Sequence, residues 1–162
     1  MGIYLNPENA DFQKSLNSEI YIDKTELISY TNKKLNTEQG YICVSRPRRF
    51  GKSMAANMLT AYYSRGCDSR RLFQGLKIAT HPDFEKHLNQ YNVIHLNMRD
   101  YLTESENMKQ LIQFVEDDLL DELQQEFSDL RMPRRKTLVK VLEQAFVQYK
   151  TPFVFIIDEW DC

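Results

Sequence analysis

Tyr41-Ile42-Cys43-Val44-Ser45-Arg46-Pro47-Arg48-Arg49-Phe50-Gly51-Lys52-Ser53 is the stretch on which the fold turns. Its first four residues follow Gly40, are rich in strand formers and predict a short strand with Cys43 buried in it. A basic loop comes next. Gly51-Lys52-Ser53 then opens a segment of helical spacing, with Met54, Met58, Leu59 and Tyr62 on one face. Strand, loop and helix start together make a setting for phosphate. The first N–H groups of a helix lack intrahelical acceptors and carry the positive end of its dipole. Gly51 lets the backbone turn tightly and approach the oxygens. Lys52 would place its ammonium on the β- and γ-phosphates, and Ser53 would offer its hydroxyl to magnesium.

The full phosphate-loop pattern has glycine six residues before the lysine, where this chain has Arg46. Pro47 also lacks an N–H. Both departures are tolerable if the donors are concentrated toward Gly51–Ser53. Gly-Lys-[Ser/Thr] arises by chance in about 8% of chains this long. The tripeptide alone therefore decides little, and its placement decides more. The bland alternative is a Gly-terminated basic loop with Lys52 solvated.

Working outward, the second deciding element is Phe153-Val154-Phe155-Ile156-Ile157, an apolar run expected of a strand covered on both faces. It runs straight into Asp158-Glu159. Ligands bind outside the C-terminal edge of open α/β sheets, so carboxylates at such an edge have a role ready for them. Asp158 would hold magnesium, directly or through water. Glu159 would orient and deprotonate the attacking water. In P-loop ATPases of the additional-strand class the metal-ligating aspartate and catalytic glutamate stand at this point. A strand ending on ordinary surface acids is the competing reading.

Between these elements lie a strand at 93–98, a helix at 104–128 with a stripe from Met108 to Phe127, and a helix at 137–149 ended by Pro152. Upstream, residues 1–20 read as a polar lead-in of weak periodicity. Asp23 or Thr25 is a candidate cap for a helix over 25–34. Apolar strands alternating with helices indicate an α/β domain with a parallel sheet.

The chain of 162 residues suits one domain, and its formal net charge of -2 gives no global pull toward nucleic acid or anionic membrane. Arg46, Arg48 and Arg49 do create a local positive field, read equally well as phosphate or nucleic-acid contact and as solvated or paired arginines. The three cysteines match neither a disulfide framework nor a zinc site, and a reducing cytoplasm is the expected compartment. No leader-like start and no apolar run of about 20 residues is present, so no membrane association is expected. The histidines lack metal-ligand spacing, and the acids Glu116, Asp117, Asp118, Asp121 and Glu122 read as the wet face of the long helix.

Four segments together resemble the bacterial AAA-ATPase-like family: 21–25 (Tyr-Ile-Asp-Lys-Thr), 45–53, 72–78 and 155–161. The resemblance runs from about residue 10 to the end. An arginine-rich phosphate loop with arginine in place of the usual glycine marks that family, which turns Arg46 from a defect into support. Trp160 stands where a tyrosine is common. The resemblance implies a P-loop NTPase three-layer sandwich of the additional-strand class, C-terminally truncated here, with a Walker A segment at 46–53 and a Walker B segment at 153–159. It implies ATP and Mg2+ binding by Arg48, Arg49, Phe50, Gly51, Lys52 and Ser53, with Asp158 and Ser53 on the metal and Glu159 and Lys52 catalytic. Members often carry a C-terminal domain of the restriction-endonuclease type, so a nuclease-like domain or nucleic acid is an expected partner. The alternatives are a nucleotide-dependent switch controlling such a partner, or a non-functional remnant. The oligomeric state is not legible.

In the additional-strand class strand 4 lies between strands 1 and 3, counted along the chain. Strands 1 to 3 are expected at 41–44, 93–98 and 153–157, and strands 4 and 5 beyond Cys162. Strand 1 would then lack neighbours on both sides, and the 162 residues alone are expected to be poorly stable and to bind ATP weakly without hydrolysing it.

Overall fold

Two of the three expected strands form, and they pair with each other. The computed structural model describes residues 2–45, 47 and 50–160. Along the chain come α1 (Ala10–Leu16), α2 (Glu26–Asn32), α3 (Lys52–Tyr63), the short α4 (Arg70–Phe73), a 3-10 turn (Lys77–Thr80) and α5 (Phe84–His87). Then follow β1 (Asn92–Asn97), α6 (Met98–Glu104), α7 (Met108–Glu126), α8 (Leu138–Tyr149) and β2 (Phe153–Asp158). β1 and β2 are parallel, in register from Asn92 against Phe153 to Asn97 against Asp158. The result is a mixed α/β structure around a small two-stranded parallel sheet.

Side chains alternate across the sheet, which divides the core in two. Val93, Val154 and Ile156 face α3, where they join Met58, Ala61, Tyr62, Tyr63, Phe12 and Phe73. Ile94, Leu96 and Phe153 face the other way, onto Leu111, Leu119, Leu123, Val141 and Ala145 of α7 and α8. Helices therefore cover both faces, but not all of β2. Phe155 and Ile157 are each about half exposed, so the expectation of a strand covered on both faces fails over its second half.

The expected strand at 41–44 is absent. Residues 41–45 carry no regular structure and are exposed, Tyr41 at 99% and Cys43 among them, against the expectation that Cys43 would be buried. The physical reason is pairing. A strand's N–H and C=O groups need a neighbour or water, and no described strand lies beside this run. Four apolar side chains also bury too little to hold an unpaired segment on the core.

The long helix expected at 104–128 is divided. α6 ends at Glu104, and α7 restarts where the Asn107 side chain accepts the Gln110 N–H (3.0 Å). Its stripe is partly as read: Leu111, Leu119, Leu123 and Phe127 are buried, but Met108 and Ile112 are exposed. Two acids of its expected wet face are engaged. Asp118 accepts the Tyr101 hydroxyl (3.0 Å), and Glu122 accepts the amides of Ile3 (2.7 Å), Tyr4 (3.0 Å) and Leu5 (2.6 Å).

That tether brings the first residues into the core despite their polar look. Leu5 and Phe12 are fully buried. Residues 4–6 run antiparallel beside the outer edge of β1: Asn6 N–H donates to the Val93 carbonyl (2.7 Å) and His95 N–H to the Tyr4 carbonyl (2.9 Å). The Asn6 side chain also accepts the Val93 N–H (2.8 Å). Among the described residues, no helix is long and apolar enough to cross a membrane.

Candidate functional site

Gly51 is the N-cap of α3 and has φ of 77°, the left-handed region that glycine enters at no steric cost. No side chain caps the first turn at that position. A serine or aspartate cap would compete for the amides that follow, and glycine leaves them to an incoming anion. Lys52 is half-buried at the first helical position, Ser53 and Phe50 are exposed, and α3 runs three turns behind them into the core.

The segment at 21–25 is built against this loop. The Asp23 carboxylate accepts the Thr25 N–H (2.9 Å), the Thr25 hydroxyl (2.7 Å) and the Lys77 N–H (2.8 Å). The Thr25 hydroxyl oxygen in turn accepts the Ile78 N–H (3.1 Å). Partial burial works against ionisation of Asp23, but these hydrogen bonds and the Lys77 charge outweigh it and hold the carboxyl below its usual range. With Asp23 and Thr25 fastened to the 3-10 turn, the intervening Lys24 points the other way. Its Nζ donates to the Phe50 carbonyl (2.9 Å), one residue before Gly51. A Cβ on Gly51 would stand 2.9 Å from that same nitrogen. Burial, and then the Asp23 charge, push the Tyr21 phenol up to about 12, so it stays protonated at neutral pH.

Asp158 ends β2, in register with Asn97, the side-chain cap of α6. Its Oδ1 accepts the Glu159 N–H (2.9 Å). Glu159 has φ of 53°, a left-handed backbone that costs a non-glycine residue about 1–2 kcal/mol. His95 lies in β1 on the face toward α3, with Nδ1 3.1 Å from the Thr60 hydroxyl. Burial keeps its imidazole below the usual range, and the charges of Asp158 and Asp11 only partly offset that.

The phosphate-loop residues and the acidic pair lie at the same edge of the sheet. The C-terminal end of α3 is stitched to the start of β1: Arg65 N–H donates to the Tyr91 carbonyl (3.0 Å) and Tyr91 N–H to the Tyr63 carbonyl (3.0 Å). α3 also packs along β2. Twelve helical residues span about 18 Å and six strand residues about 20 Å. Running back along α3 therefore brings Gly51, Lys52 and Ser53 to the level of the strands' C-terminal ends, where Asp158 and Glu159 stand. Arg46, Arg48 and Arg49 lie outside the described residues.

Lys24 had no role in the sequence. Its partner is 26 residues away, and neither helical nor strand periodicity connects them. The signal was the compact mixture at 21–25, in which an acid, a lysine and a threonine are too close for an ordinary solvated turn to use all three.

Comparison with known proteins gives one positive finding. The family model described as "Predicted AAA-ATPase" matches residues 10–162. No curated protein and no solved structure matches the chain.

Proposed function

The chain belongs to this AAA-ATPase-like family, and from that premise we propose that it binds ATP with magnesium and, in the complete domain, hydrolyses it. The Walker A segment is 46–53 and the Walker B segment 153–159, set in a P-loop sandwich of the additional-strand class. Phosphate is held by the backbone around Phe50, Gly51 and Ser53 and by the Lys52 ammonium, with Arg48 and Arg49 adding positive charge. The observation that carries this reading is Gly51. Its left-handed turn opens an uncapped helix at the sheet edge where Asp158 also ends its strand.

Ser53 and Asp158 suit magnesium by their chemistry: a hydroxyl and a carboxylate, both hard oxygen donors. Among the described residues no group of three or more His, Cys, Asp and Glu forms an all-protein cage. Magnesium bound through one or two protein oxygens and the substrate's phosphates needs none. When bound, it would neutralise charge developing on the β- and γ-oxygens. Glu159 is the base that orients the attacking water, and its left-handed backbone supports that role, since such outliers gather at functional sites. A bacterial cytoplasm and a nuclease-like partner domain belong to the same reading.

The test is ATP binding and turnover in the full-length gene product. Lys52→Ala is expected to weaken binding by about tenfold or more, the equivalent of about 1.4 kcal/mol. Glu159→Gln is expected to keep ATP bound and slow hydrolysis by about 100-fold or more. Asp158→Asn is expected to blunt the magnesium dependence of binding. Equal affinity with and without Lys52 would sink the phosphate assignment, and unchanged turnover with Glu159→Gln would sink the catalytic one.

A further inference from the structure

Beside the phosphate loop lies a cavity of about 290 Å3. Its walls come from two places. Tyr21, Ile22 and Lys24 form one side, and Phe50, Gly51, Met54 and Met58 form the other. Met58 is buried and makes the floor, while Ile22, Phe50 and Met54 are 67%, 60% and 39% exposed. These are large apolar side chains that the fold leaves uncovered around one depression. Single exposed apolar residues need no explanation, but several lining a common cavity mark a ligand site.

We propose that this cavity is the nucleobase subsite of a purine nucleoside triphosphate, with the 20–25 segment as its outer wall and Lys24 as the tie between that wall and the phosphate loop. The proposal rests on the phosphate-loop reading above and deepens it. Continuity is the first support. Gly51 is both the N-cap of α3 and part of the cavity wall, so one ligand can place phosphates at the helix start and its base against Met54 and Met58. Size is the second. The volume sits at the lower end for small-molecule sites and admits a bicyclic base with part of a ribose. Lining chemistry is the third. A flat π-system packs well against thioethers, a tyrosine ring and a branched alkyl chain, and no acidic side chain lines the wall to repel a polyanion.

Lys24 explains why the wall stays in place. It is flanked by Asp23 and Thr25, both fixed to the amides of Lys77 and Ile78, and its own Nζ holds the Phe50 carbonyl. The wall and the loop are thus linked by one hydrogen bond across a sequence gap of 26 residues. Lys24 is a positioning residue here.

The experiment compares two probes on the full-length protein: magnesium ATP, and magnesium tripolyphosphate, which has the phosphates and no base. Ile22→Ala and Met54→Ala remove exposed side chains, so folding is little affected, and a thermal melt checks it. Each is expected to weaken ATP by about tenfold while leaving tripolyphosphate unchanged. Lys52→Ala is expected to weaken both. A direct arm uses photolysis with 8-azido-ATP and peptide mapping, with adducts expected within 20–25 or 54–58. Adducts confined to other peptides, or ATP affinity unmoved by both alanine variants, would overturn the proposal. So would equal weakening of ATP and tripolyphosphate by Ile22→Ala and Met54→Ala, which would mean that the wall merely supports the loop. Failure of the unaltered protein to bind either probe would overturn the phosphate-loop reading itself, and the subsite with it.

Discussion

Residues 41–44 and 153–157 are both apolar runs with strand-forming composition, yet only the second is a strand. β2 has β1 beside it and α3 across one face. The 41–44 run has no strand beside it among the described residues, and it lies exposed. Intrinsic preference for extended backbone is similar in the two, so the neighbour decides. The contrast reaches the candidate site. Its acidic half is placed by the sheet. Its phosphate half is placed by α3 and by the Lys24 tie, without help from the run that precedes it.

The sharpest way to break this contrast is a charge in each run. Ile156→Asp puts an unpaired carboxylate into the face packed on α3 and is expected to cost about 3–5 kcal/mol, much of a small domain's stability. Ile42→Asp is expected to cost under about 0.5 kcal/mol. Urea unfolding of the 162-residue chain measures both, and similar costs would show that 41–44 packs after all. Hydrogen exchange sharpens the same point. Amides of β2 are expected to be protected, and those of 41–45 to exchange near the rate of an unstructured peptide.

Gly51→Ala acts at the junction of the two regions. Its left-handed φ and the Lys24 nitrogen 2.9 Å from the new Cβ predict a loss of about 1–2 kcal/mol in thermal unfolding. An unchanged melting temperature would show that the turn relaxes freely. Asp23→Asn removes the charged acceptor that fastens the 21–25 segment and is expected to cost about 1 kcal/mol near neutral pH. The Asp23 carboxyl is held below its unfolded value, so its contribution is fully present above about pH 4. It is lost as pH falls through the folded value. Stability of the native chain and of the Asp23→Asn variant should therefore converge toward acid, and a gap that persists below about pH 3 would contradict this.

The smallest effect is expected at Cys43. Cys43→Ser should leave stability unchanged within about 0.5 kcal/mol. In the native protein the exposed Cys43 should be alkylated faster than Cys67, which is half-buried and whose thiol is pushed up by burial. Peptide mapping after brief iodoacetamide treatment checks the order.

Much of this architecture was legible because it follows local rules. α8 repeats its apolar residues on one face, β2 ends abruptly on two acids, and Gly51 sits before a helical spacing that formed as read. Elements that depend on remote partners were not legible. The 41–44 run looks like a strand because composition carries no information about neighbours. Residues 4–6 look like a polar start because Glu122 and the edge of β1, which hold them, lie about ninety residues or more downstream. Lys24 belongs to the same group. Its contact is with a backbone carbonyl, and a carbonyl has no residue-type signature in the sequence.

The strip of chain at residues 4–6 also gives the sheet a direction. It occupies the outer margin of β1, so growth on that side is blocked by the molecule's own start. The far margin of β2 has no neighbour among the described residues. A ribbon sealed on one side and open on the other is terminated after a single addition. Two such ribbons meeting open side to open side make a closed pair related by a twofold axis, with both sealed margins outward. Endless stacking into a fibre requires two open margins on every unit, and three residues at the beginning of this chain remove one of them.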